Sequence, residues 1–134
     1  MTEFKDLPPL SAAQLEVMNA VWEKDDASVS DVWHKLRERR PVARATVQTM
    51  LNRLTEKGWL NYRAVGQAYL YSAAVPREAT QEHLVSNLVN TAFDGSVEGL
   101  MWALLSDRGL SKDEAGRIRS MIEEAEQKTK RRGK

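Results

Sequence analysis

A chain of 134 residues with a formal net charge of +1 can enclose one modest core, so a small domain with a helical appendage is the expected organisation. Cysteine is absent, which excludes a disulfide framework, a thiolate metal site and a cysteine nucleophile. No apolar run approaches the roughly 20 residues of a membrane span, and residues 1–10 lack the basic-then-apolar order of a signal peptide, so the chain reads as soluble and cytoplasmic.

Helix one is announced by Ser11 and Gln14, spaced as a capping box, with Leu10 and Leu15 placed to staple its entry. Leu15, Met18, Val21 and Trp22 recur at helical spacing until Asp25 and Asp26 end the segment. Ser28 caps a second helix, favoured by Asp31 in its first turn and carrying Val29, Val32, Trp33 and Leu36 on one face. Pro41 marks the following break. A third helix, about Ala43 to Lys57, has Val47, Met50, Leu51 and Leu54 inward and stops at Gly58, and its N-cap is poor because Ala43 offers no acceptor.

Beyond Gly58 the period changes. Residues 59–65 and 68–72 suit two strands around the tight turn Gly66-Gln67. Three short helices and a hairpin form the winged helix-turn-helix order, in which the third helix enters the major groove and the wing reaches flanking backbone. The expected fold is therefore mainly α with a small β-hairpin: a winged helix-turn-helix DNA-binding domain over 1–75 and a helical dimerisation region over 76–134.

Pro76 opens a fourth helix running to about Phe93, with Leu84, Val85, Leu88 and Val89 along one side. A short apolar helix holding Val97, Leu100, Met101, Leu104 and Leu105 follows, and Ser111 to Glu114 opens a last helix whose apolar face includes Ile118 and Ile122. These helices are too few to enclose a core. A second copy is the economical cover, with Leu84, Leu88, Phe93, Leu100, Met101, Leu104, Ile118 and Ile122 as the candidate dimerisation residues, and packing back on the N-terminal domain is the alternative. The basic run from Lys128 to Lys134 reads as a frayed tail.

With the apolar stripe of the third helix inward, Arg44, Ala45, Gln48, Thr49 and Asn52 lie on its other side, and Thr46 and Arg53 flank it. Gln can pair with adenine, Thr with bases or a thymine methyl, and Arg with guanine or phosphate. Arg63 and Gln67 are the wing candidates for DNA backbone. From Lys35 to Arg63 there are eight basic residues (35, 37, 39, 40, 44, 53, 57 and 63) against Glu38 and Glu56, the charge footprint that phosphate binding needs. Enzyme signatures are missing: no nucleophile elbow, zincin motif or glycine-rich phosphate loop occurs. His34 and His83 sit singly among charged neighbours and Glu123-Glu124 beside basic residues, so no catalytic, cofactor or metal site is expected. A winged-helix module that binds protein rather than DNA is the alternative, since fold alone does not fix function.

Three stretches resemble the BlaI/MecI group of penicillinase and methicillin-resistance repressors and its copper-responsive CopY relatives. They are residues 10–22 (LSAAQLEVMNAVW), residues 45–54 (ATVQTMLNRL) with Lys57-Gly58, and residues 68–71 (AYLY). The resemblance implies a homodimeric repressor bound to a double-stranded operator, with Thr46, Thr49 and Arg53 on the recognition helix. It further implies a membrane sensor protease as a partner: the Asn-Phe bond cut in β-lactam-responsive members falls, without gaps, at Ala103-Leu104. Those residues differ, so a protease of other specificity is implied. The cysteine motif of the copper-responsive members is absent.

Overall fold

The computed structural model describes residues 7–133. Their order is α1 (Ala12–Lys24), α2 (Val29–Arg37), α3 (Arg44–Glu56), β1 (Leu60–Val65), β2 (Ala68–Ala73), α4 (Arg77–Ala92), α5 (Val97–Arg108) and α6 (Lys112–Gly133). Two compact units are present, Met1–Ser86 and Asn87–Lys134.

Local chemistry sets the helix ends. Ser11 and Gln14 form a complete capping box on α1, each side chain taking the other's backbone N–H. Ser28 and Asp31 do the same on α2. There the backbone N–H of Ser28, followed by its hydroxyl, holds the Asp31 carboxyl below its ordinary pKa. A carboxyl depressed in the folded state contributes stability above its unfolded pKa of about 3.9 and loses it as pH falls through the lower folded value. Asp31→Asn is therefore expected to narrow the difference in melting temperature between pH 7 and pH 3; a difference equal to the wild type's would remove Asp31 from the acid response.

The end of α3 is a Schellman turn. Gly58, at φ +94°, donates to the Thr55 carbonyl and Trp59 donates to that of Leu54 at 2.9 Å. The chain thereby turns directly into β1. β1 and β2 pair antiparallel through the two-residue turn, with Tyr62 opposite Tyr71 and Ala64 opposite Tyr69.

The core of the first unit gathers Val17, Met18, Ala20 and Val21 of α1, Val29, Val32 and Leu36 of α2, Val47, Leu51 and Leu54 of α3, and Trp59, Leu60, Tyr71 and Val75. Three indole N–H groups find backbone carbonyls at its edge: Trp22 with Val75, Trp33 with Val42, and Trp59 with Pro8. The hairpin is fastened to the helices by Ala27, which exchanges two backbone hydrogen bonds with Tyr71 at 2.7 and 2.9 Å.

The second unit is built differently. Val89 is its only buried side chain among the described residues, while Trp102, Leu104 and Leu105 of α5 and Met121 and Ile122 of α6 are exposed. Ser96 and Ser111 cap α5 and α6. The expected frayed tail is corrected over its described part, because α6 continues to Gly133. Lys130, Arg131 and Arg132 in its last turn are favoured by the negative end of the helix dipole, and Glu124 and Glu126 lie one turn before Lys128 and Lys130. Lys134 lies outside the described residues.

Candidate nucleic-acid interface

The α3 stripe of Val47, Leu51 and Leu54 is fully buried, and this fixes which residues face away. Arg44, Ala45, Thr46, Thr49, Asn52 and Arg53 are exposed, and Gln48 is half-buried. The structure thus brings together the seven α3 residues singled out from the sequence. Thr49 donates its hydroxyl to the Ala45 carbonyl at 3.1 Å, which orients its methyl group. Gln48 is tied down: its Nε2 donates to Asn52 Oδ1 and to the phenol oxygen of Tyr71, both at 3.1 Å.

The N-terminus of α3 is open. Ala43 makes no side-chain cap, the first turn holds no acid, and Arg44 is the first helical residue. A cation at the positive end of a helix dipole is unfavourable in isolation, yet it suits a helix end whose free N–H groups receive an anion.

Charge is distributed otherwise than the linear count of basic residues indicates. Lys35 pairs with Glu23 at 2.8 Å, Arg40 with Glu16 at 2.8 Å and Arg39 with Glu16 at 3.6 Å. The Lys35 hydrogen bond and charge hold Glu23 below its usual pKa, and Glu23 raises Lys35 in return. Arg37 stacks over Trp33 at 4.4 Å. These four basic residues belong to the α1–α2 surface. Arg44 and Arg53 on α3, and Lys57 at its C-cap, have no ion-pair partners among the described residues.

On the wing, Gln67 is exposed in the turn, and Arg63 meets Asp26 at 3.2 Å across from the α1–α2 connection. Asp25 and Asp26 both hold positive φ, so this connection is tightly bent. Tyr62 and Tyr69 are half exposed and meet edge to face at 5.1 Å. With Tyr71, Asn52, Thr55 and Glu56 they line a hollow of about 280 Å³ between wing and recognition helix. Sequence reasoning missed Asp26 at this surface, and Ala27 and the Tyr71 hydroxyl as its buried supports. No local signal identifies them, since each acts across at least 23 residues of chain.

Of the dimerisation candidates, Leu88, Leu104 and Ile122 are exposed, and Leu84, Phe93, Leu100, Met101 and Ile118 are half-buried. Ala103 and Leu104 lie inside α5, both exposed.

The chain is similar to known proteins over most of its length. The penicillinase repressor of Bacillus licheniformis is 27% identical over 126 residues, covering 94% of this chain and 98% of that one. The methicillin resistance regulatory protein MecI of Mammaliicoccus sciuri is 25% identical over 113 residues, covering 84% and 92%. Wild-type MarR from E. coli shares the fold at a TM-score of 0.52 with 18% identity, over 87% of this chain and 77% of that one. The profile of the penicillinase repressor family matches residues 10–124, and the chain belongs to that family.

Proposed function

We infer that the chain is a DNA-binding transcriptional repressor, in keeping with a family of repressors rather than enzymes. We propose that it acts as a homodimer on a palindromic operator and blocks transcription by occlusion. The observation that carries this reading is the uncapped, cationic N-terminus of α3 leading into the polar face of Gln48, Thr49 and Asn52. Phosphate is suited to the helix end and base edges to the face. Arg44, Arg53, Arg63 and Gln67 supply backbone contacts, and Arg63 leaves Asp26 for phosphate at small cost because both partners are about half exposed. Residues 1–75 are the DNA-binding part, and 76–134 hold the dimer through α4, α5 and α6.

No described helix is long and apolar enough to cross a membrane, and we place the protein in the cytoplasm with the DNA it binds. Induction by a membrane sensor protease cutting Ala103-Leu104 is part of the proposal. A protease takes its substrate extended, so α5 must open locally before that bond is cut. Intact chain persisting through full induction would exclude this route.

The test is fluorescence anisotropy on duplex DNA from upstream of the chain's own gene against a scrambled duplex, at two salt concentrations. Thr49→Ala and Gln48→Ala are each expected to cost about 1–3 kcal/mol on the preferred duplex and little on the scrambled one. Arg44→Ala and Arg63→Ala are expected to weaken both duplexes alike and to lower the salt slope by about one each. Equal loss on both duplexes from all four variants would reject the reading face.

A further inference from the structure

Tyr71 carries a hydroxyl whose bond goes to the recognition helix rather than to its own hairpin. The residue is 2% exposed, and its backbone already holds the hairpin to Ala27. Among the described residues the phenol oxygen has one hydrogen-bond partner, Gln48 Nε2 on the recognition helix. A buried hydroxyl left without a partner is costly, so Gln48 is held in place as firmly as it holds Tyr71.

The second hydrogen of the same amide nitrogen goes to Asn52 Oδ1. Both side-chain donors of Gln48 are thus occupied, and among the described residues its side-chain Oε1 has no partner. A glutamine with donor and acceptor both free pairs bidentately with adenine N6 and N7, but one limited to its acceptor can take only a base-edge donor. In the major groove that donor is adenine N6 or cytosine N4.

We propose that Tyr71 is a specificity-determining positioning residue: its buried phenol fixes the Gln48 amide as an acceptor, so the base pair under Gln48 is read as adenine or cytosine without distinction. The proposal rests on the DNA-binding reading above. Tyr71 does not touch DNA and acts through Gln48 alone.

The test uses the full chain and a randomised duplex library, with bound fractions sequenced for wild type, Tyr71→Phe, Gln48→Ala and the double variant. The position whose preference disappears in Gln48→Ala is the one Gln48 reads. There the wild type is expected to take adenine and cytosine within about threefold. Tyr71→Phe frees one Nε2 hydrogen for adenine N7, so adenine should gain on the order of tenfold over cytosine, with other positions unchanged. In the double variant the phenylalanine should have no further effect on base preference.

Phenylalanine keeps the ring and the backbone bonds to Ala27, and a melting curve verifies that the fold is retained. A purely structural tyrosine would instead lower affinity for every sequence alike, in both backgrounds. An adenine-to-cytosine ratio unchanged by Tyr71→Phe, or already near tenfold in the wild type, overturns the proposal and leaves the repressor reading intact. Failure of the wild type to enrich any sequence overturns both.

Discussion

Leu51→Ala is expected to destabilise the first unit by about 3 kcal/mol, and to cost DNA binding only through the folded fraction. Leu51 is fully buried on α3, in a cluster with Met18 and Val21 of α1, Val32 of α2 and Leu60 of β1. Truncation there removes buried methyl groups and leaves a cavity that four elements must collapse to fill. A domain of this size is stable by about 5–15 kcal/mol, so the loss is a large share of the total. Leu51→Met, which nearly conserves volume, should cost less than about 1.5 kcal/mol. Thermal and urea unfolding read both, and anisotropy at low temperature, where the alanine variant is still folded, should give near-wild-type affinity. Weak binding by a fully folded Leu51→Ala would mean that this core side chain sets the pose of α3 as well as its stability.

The elements that sequence made legible are those with local causes. The Ser11–Gln14 capping box, the Gly58 turn and the Gly66-Gln67 hairpin act over a few residues, and they lie where periodicity and turn chemistry put them. Periodicity also identified the outward face of α3, because one buried stripe determines the rest of a helix. Cross-chain pairing was not legible. Four of the eight basic residues counted toward a DNA footprint belong to α1–α2 ion pairs or to Trp33, since Glu16 and Glu23 lie outside the counted stretch. No local signal sets Tyr71 apart from its strand neighbours, because its hydroxyl meets Gln48 across 23 residues of chain. The continuation of α6 was missed for a related reason. A basic run looks like a solvated tail unless the acids one turn earlier and the helix dipole are weighed against it.

The proposed dimer carries the other large effect. A unit in which Val89 is the only buried side chain among the described residues, and which exposes Trp102 at 77%, Met121 at 60% and Ile122 at 53%, presents more apolar surface than an isolated helical unit of this size retains. Leu104→Glu adds a charge to that surface, and burying an unpaired carboxylate against a second copy is prohibitive. The residue is 41% exposed within the chain, so the substitution leaves the fold of one copy little affected. Linking two half-site binders raises affinity by about 10²–10⁴ without any new DNA contact. Leu104→Glu is accordingly expected to sediment as a monomer and to lose that factor on a two-half-site operator, while its affinity for a single half-site stays at the wild-type value. A cut at Ala103-Leu104 should have the same signature, because it divides α5 within this surface and separates α6 from the DNA-binding unit. A variant that remains dimeric would move the interface away from Leu104. One that is monomeric yet binds the full operator as tightly as wild type would show that dimerisation contributes nothing to operator affinity.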